Sequence, residues 1–114
     1  RNPYWDTGEG LALDAGTFVT ALEYATGREA TLAGKPSTMF FQGAAESMGV
    51  DLFNLAVVGD DPGTDMAGAH ACDAAAILVK TGRFKGGALA ASMPRPDLIL
   101  DSVATLPAAL GVGF

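Results

Sequence analysis

The stretch LAVVGDDPGTDMAGAHA, Leu55 to Ala71, decides how the chain is read. Leu55–Gly59 is a continuous apolar run, the pattern of a strand buried on both faces. Three aspartates follow it within six positions, Asp60, Asp61 and Asp65. The segment Thr64–Asp73 then reads as a helix of small residues, with Ala67, Ala69 and Ala71 set for close packing. A buried strand that ends in carboxylates ahead of a helix places polar groups at the carboxyl edge of a sheet, where open α/β folds collect ligands.

The flanking sequence repeats the alternation. Asp14 is placed to cap a helix in which Phe18, Leu22 and Ala25 recur at helical spacing, and Gly27 ends it. Glu29–Pro36 reads as a short extended run into a loop. Pro36 disfavours helical geometry at the residue before it, which puts Lys35 on that loop. Ser37 is the next N-cap candidate. It precedes a stripe of Phe40, Phe41, Ala44, Ala45 and Met48 that Gly49 closes. Ala74–Lys80 is a second buried strand, Thr81–Gly87 a turn-rich loop, and Pro96–Ser102 a last short strand. Val103–Gly111 is a last helix that tolerates Pro107 only in its first turn. Arg1–Gly10 reads as a loop or short edge segment, and the residues after Gly82 show no clean period. Strands alternating with helices predict an α/β fold, a Rossmann-like parallel sheet with helices on both faces.

Composition bounds the function. The chain has 114 residues, 49% hydrophobic and 18% charged, enough for one small domain with a real core. A formal net charge of −6 argues against nucleic acid or an anionic membrane as the main partner. No apolar run approaches a membrane span, and no signal peptide is visible. Cys72 is the single cysteine, so no intrachain disulfide forms, which fits a reducing, cytoplasmic setting. Cys72 reads as a small buried helix residue and His70 as structural; Arg83 and Lys85 read as solvated.

Carboxylates crowded at one strand end repel unless a cation sits among them. Oxygen-only ligands suit a hard ion such as Mg²⁺, which takes one or two carboxylates and leaves its other positions to water and substrate phosphate. Lys35, on a loop at the same edge, supplies a point charge for phosphate oxygens. Metal, lysine and phosphate together describe phosphoryl transfer. The same residues also fit a plainer arrangement, in which Asp61 or Asp65 caps the helix near Thr64 and Lys35 is solvated.

The segments GKPS (Gly34–Ser37) and VVGDDPGTDMAGAHACDAAAILVKTGRF (Val57–Phe84) resemble the C-terminal half of a haloacid dehalogenase superfamily phosphatase of subfamily IIA, whose members carry a large C2-type cap. The resemblance implies a Mg²⁺-dependent phosphatase of small phosphorylated molecules, acting through an aspartyl-phosphate. It implies that Lys35 contacts the transferring phosphate and that Asp60 is a direct Mg²⁺ ligand. Asp65 would stand behind the metal, orienting its water or the lysine. The resemblance gives Asp61 no fixed role; a supporting or capping role is expected of it, and Ser37 is placed to cap the helix behind Lys35. Arg1–Asp14 would be the exit and hinge of a cap, and residues 15–114 the C-terminal half of the core.

The family's DxDGT-like nucleophile motif is not in this sequence, nor is its phosphate-binding serine or threonine motif. The resemblance therefore implies a partial core lacking its N-terminal strand and most of the cap, inactive alone. A core cut in that way exposes a strand edge and predicts aggregation or a homodimer. The competing expectation is a non-catalytic metal-binding or structural module of the same fold. A receiver-like signalling domain fits less well, because there the lysine follows the aspartates, whereas Lys35 precedes them.

Overall fold

A hairpin opens the chain where the sequence suggested a loop or short edge segment. Strands β1 (Tyr4–Asp6) and β2 (Leu11–Leu13) pair antiparallel, with Trp5 opposite Ala12, in the computed structural model. The structure describes residues 2–84 and 86–112, and the chain divides into two units, Arg1–Leu32 and Ala33–Phe114. The hairpin turn is made by short polar side chains. Asp6 Oδ1 accepts the Gly8 N–H at 2.8 Å, and the Thr7 N–H donates to the Gly10 carbonyl at 2.9 Å. Helix α1 (Ala15–Thr26) begins and ends where expected. The Asp14 carboxylate accepts the Ala15 N–H, and Gly27 takes the left-handed conformation at φ 65° while its N–H closes on the Glu23 carbonyl.

Glu29–Pro36 is not a strand. The Ala30 N–H, which an extended run would offer to a neighbouring strand, donates to Glu23 Oε1 of α1 at 2.7 Å.

The second unit holds the sheet. Helix α2 (Thr38–Met48) follows Ser37, which occupies the N-cap position but makes no side-chain capping hydrogen bond. Gly49 ends it in the left-handed conformation. Only Phe41 and Ala45 of the expected stripe are buried, while Phe40 and Met48 stay about half exposed, at 47% and 56%. A narrower seam results because α2 meets the core along one line, against α3. Strand β3 (Ala56–Gly59) leads into a π-helical turn, Pro62–Met66, that continues as α3 (Ala67–Ala71). Of the three alanines set for close packing, Ala69 is buried, Ala67 is half-buried and Ala71 is exposed. Strand β4 (Ala75–Val79) and strand β5 (Leu98–Leu100) complete a parallel sheet of order β3-β4-β5. A 3-10 turn, Val103–Thr105, precedes α4 (Leu106–Ala109), with Pro107 in its first turn as expected.

β4 is central and buries Ala76, Ile77, Leu78 and Val79. Phe41, Met66, Ala69, Cys72, Ala74, Ala76 and Leu78 form one core cluster. Fully enclosing Leu78 or Met66 contributes about 1.5–3 kcal/mol each. Cys72 sits just past α3. Burial, followed by the Asp73 charge, pushes its thiol above the ordinary value. No helix among the described residues is long and apolar enough to cross a membrane.

β3 is not buried on both faces. It forms an edge of the sheet, and its exposure alternates, with Val58 37% exposed. Its outer backbone groups are a template for another strand. The 114-residue chain on its own is expected to self-associate, and Val58→Lys to shift it toward monomer in light-scattering chromatography. A monodisperse monomer for the unmodified chain would contradict this reading of the edge.

Candidate active site

Parallel register brings the ends of β3 and β4 together. Gly59 lies opposite Leu78, so the residues after both strands emerge at one edge of the sheet. β5 ends there too. Lys80 Nζ meets Asp101 Oδ1 at 2.7 Å, joining the ends of β4 and β5. The hydrogen bond and charge of Lys80 hold the Asp101 carboxyl below its ordinary value.

Asp65 is the buried charge at this edge, 4% exposed. It lies in the π-helical turn and reaches back under β3. A side chain on residue 59 would collide with the Asp65 carboxylate, so a glycine there is what admits it. Both Asp65 oxygens are engaged. Oδ2 accepts the Asp61 N–H at 3.1 Å, and Oδ1 pairs with Lys35 Nζ at 2.6 Å. Lys35 arrives from a turn in which the Ser37 N–H donates to the Gly34 carbonyl at 3.0 Å. The lysine and aspartate, 30 residues apart in sequence, thus form a partly buried ion pair.

Asp61 combines two roles. Its Oδ1 accepts the Gly63 N–H at 2.9 Å, capping the helical turn as the plainer arrangement required. Its Oδ2 pairs with Arg83 Nη1 at 2.7 Å. Burial raises the Asp61 carboxyl, but the Arg83 hydrogen bond, the Gly63 N–H, the Arg83 charge and Thr64 outweigh it and leave it below the ordinary value. Arg83 is therefore paired, contrary to the solvated role expected of it; Lys85 lies outside the described residues. Asp60 Oδ2 accepts the Arg83 backbone N–H at 2.6 Å. Its Oδ1 accepts no hydrogen bond among the described residues.

The carboxylates are thus unequal. Asp61 and Asp65 have both oxygens committed, whereas Asp60 offers one. No group of three His, Cys, Asp or Glu that could hold a metal occurs among the described residues. One open carboxylate oxygen, at a sheet edge that also carries the Lys35–Asp65 pair, fits Mg²⁺, which keeps several waters and needs only one or two carboxylates from the protein. Ser37 lies at the start of α2, two residues past Lys35, and contributes no capping hydrogen bond. His70 is exposed on α3. Sequence reading missed Gly59, Gly82 and Arg83. The signal was there in TGR, which follows a buried strand whose neighbour ends at Gly59, just before Asp60.

The HAD-hydrolase-like family model matches residues 32–106, which include every residue of this cluster. The chain is 40% identical over 104 residues to the phospholysine phosphohistidine inorganic pyrophosphate phosphatase of Rattus norvegicus, covering 91% of this chain and 38% of that protein. The p-nitrophenyl phosphatase of Archaeoglobus fulgidus superposes with a TM-score of 0.74 at 26% identity, over 95% of this chain and 43% of that one. A glycerol phosphate phosphatase from Mycobacterium tuberculosis, solved in complex with magnesium, gives a TM-score of 0.70 at 30% identity, over 92% of this chain and 32% of that one. The chain spans about a third of the length of the curated relatives it matches.

Proposed function

Because the chain belongs to the haloacid dehalogenase-like hydrolases, we propose that it is the C-terminal half of a phosphatase core and carries the metal and phosphate side of the active site. Residues 15–114 belong to that core on this reading, and Arg1–Asp14 to the hinge of a cap. The observation that carries the proposal is the Lys35–Asp65 ion pair, 2.6 Å long, at the sheet edge from which Asp60 emerges. The rat and archaeal relatives are named for phosphatase activity, which supports the same reaction here.

Mg²⁺ held by Asp60 Oδ1 would supply charge neutralisation at the phosphoryl oxygens. Asp65 fixes the Lys35 ammonium by its ion pair and is itself too committed to ligate a metal. Lys35, with its side chain 41% exposed, keeps donor protons for the oxygens of a transferring phosphate. Asp61 closes the helical turn that carries Asp65, so that both aspartates keep their places. The nucleophilic aspartate, which would form and release an aspartyl-phosphate, comes from outside these residues. Substrates are small phosphorylated molecules, as phosphoric monoesters, phosphoramidates or pyrophosphate. The single buried cysteine suits a reducing cytoplasm, the setting proposed for the protein.

The complete protein is expected to hydrolyse p-nitrophenyl phosphate with Mg²⁺ and to stop when the metal is chelated. Turnover that persists in excess EDTA contradicts the proposal. A second reading, a non-catalytic module, draws on the incomplete acidic set among the described residues. It predicts no phosphate release under any metal condition.

A further inference from the structure

We propose that Arg83 is a positioning residue that, together with Gly82, clamps Asp60 so that one carboxylate oxygen is held by the protein and the other is presented to Mg²⁺. The inference rests on the reading of Asp60 as the metal-holding residue. Four contacts converge on this point. The Arg83 backbone N–H donates to Asp60 Oδ2 at 2.6 Å. The Phe84 N–H donates to the Asp60 carbonyl at 2.9 Å. Arg83 Nη1 pairs with Asp61 Oδ2 at 2.7 Å, which ties the loop after β4 to the next residue along. Phe84 packs against the core cluster and anchors the loop from below.

Gly82 makes the approach feasible, since a Cβ there would collide with the Asp60 carboxylate. A carboxylate free to rotate about its own side chain spends much of its time facing away from a metal. Fixing Oδ2 on a backbone donor removes that freedom and leaves Oδ1 as the metal-facing atom. The Arg83 side chain is 64% exposed, so its ion pair with Asp61 contributes little to folding. Its place is explained by what it holds rather than by what it buries.

Isothermal titration with MgCl₂ on the complete protein tests this, with melting temperature read in parallel. Arg83→Ala is expected to weaken Mg²⁺ binding about tenfold, the lower end of what losing an outer partner costs a metal site, while the melting temperature stays near that of the parent protein. Arg83→Lys restores a charge for Asp61 and is expected to recover most of the affinity. Arg83→Gln, which keeps length without charge, should behave like Arg83→Ala and decides the question if the alanine variant is poorly folded. Gly82→Ala is expected to abolish binding by displacing Asp60. Unchanged Mg²⁺ affinity in Arg83→Ala and Arg83→Gln overturns the role of the Arg83 side chain, and unchanged affinity in Gly82→Ala overturns the backbone hold on Asp60, which both arginine variants keep. If Asp60→Asn also leaves affinity unchanged, the metal reading of Asp60 falls with it. If Asp60→Asn alone loses binding, the metal reading stands and only the clamp is refuted.

Discussion

Asp60→Asn is expected to lower Mg²⁺-dependent phosphate release by about 10²–10³-fold or more, the cost typical of deleting one preorganised charge-stabilising group, while the protein stays folded. The physical case is specific to this position. Asparagine keeps the side-chain volume and an oxygen that can still accept the Arg83 N–H, now 2.6 Å from Asp60 Oδ2. What it removes is the negative charge and the open oxygen. Asp60 is the one aspartate of the three with an oxygen left uncommitted among the described residues. The change therefore separates metal binding from folding. The measurement is kcat on p-nitrophenyl phosphate across a Mg²⁺ series, alongside a thermal melt. Turnover within a few-fold of the parent at saturating Mg²⁺ would remove Asp60 from the mechanism.

Lys35→Met is expected to lose activity and stability together. Asp65 is 4% exposed and spends one oxygen on Lys35 Nζ. Removing the ammonium leaves a buried carboxylate with only the Asp61 N–H on its other oxygen. An unsatisfied buried charge of this kind costs about 1–3 kcal/mol, and the partial exposure of Lys35 keeps the figure below that of a fully enclosed pair. The double variant Lys35→Met/Asp65→Asn separates the two losses. It removes the stranded charge and keeps an acceptor for the Asp61 N–H, so much of the lost stability should return. Activity should not, because the ammonium that meets the phosphate is gone. If the double variant recovers turnover as well as melting temperature, Lys35 serves the fold and not the reaction.

Sequence alone placed the elements of the fold that depend on local rules. Asp14 and Gly27 bound α1 as capping chemistry requires, and the unbroken run Ala75–Val79 is the buried central strand. The approach of Lys35 to Asp65 was legible through the family resemblance alone, since Glu29–Pro36 is no strand and the shared-edge argument for Lys35 falls with it. The misread elements depend on neighbours. Leu55–Gly59 has the composition of a doubly buried strand, but burial is set by pairing, and among the described residues β3 pairs on one side only. The β1–β2 hairpin is too short for a period to show, and its signal lay in the turn residues Asp6, Thr7 and Gly8. Arg83 looked solvated because an exposed arginine in a glycine-rich loop usually is. Its partner stands 22 residues earlier, and only the β3–β4 register brings the two together.

A crystal structure of the complete protein with Mg²⁺ tests the central claim most directly. The account predicts the ion about 2.1 Å from Asp60 Oδ1, with water and phosphate oxygens among its other ligands. Asp61 and Asp65 should remain on Arg83 and Lys35, off the metal. An ion ligated by Asp65, with Lys35 displaced from it, or an ion bound away from Asp60 altogether, would contradict the account.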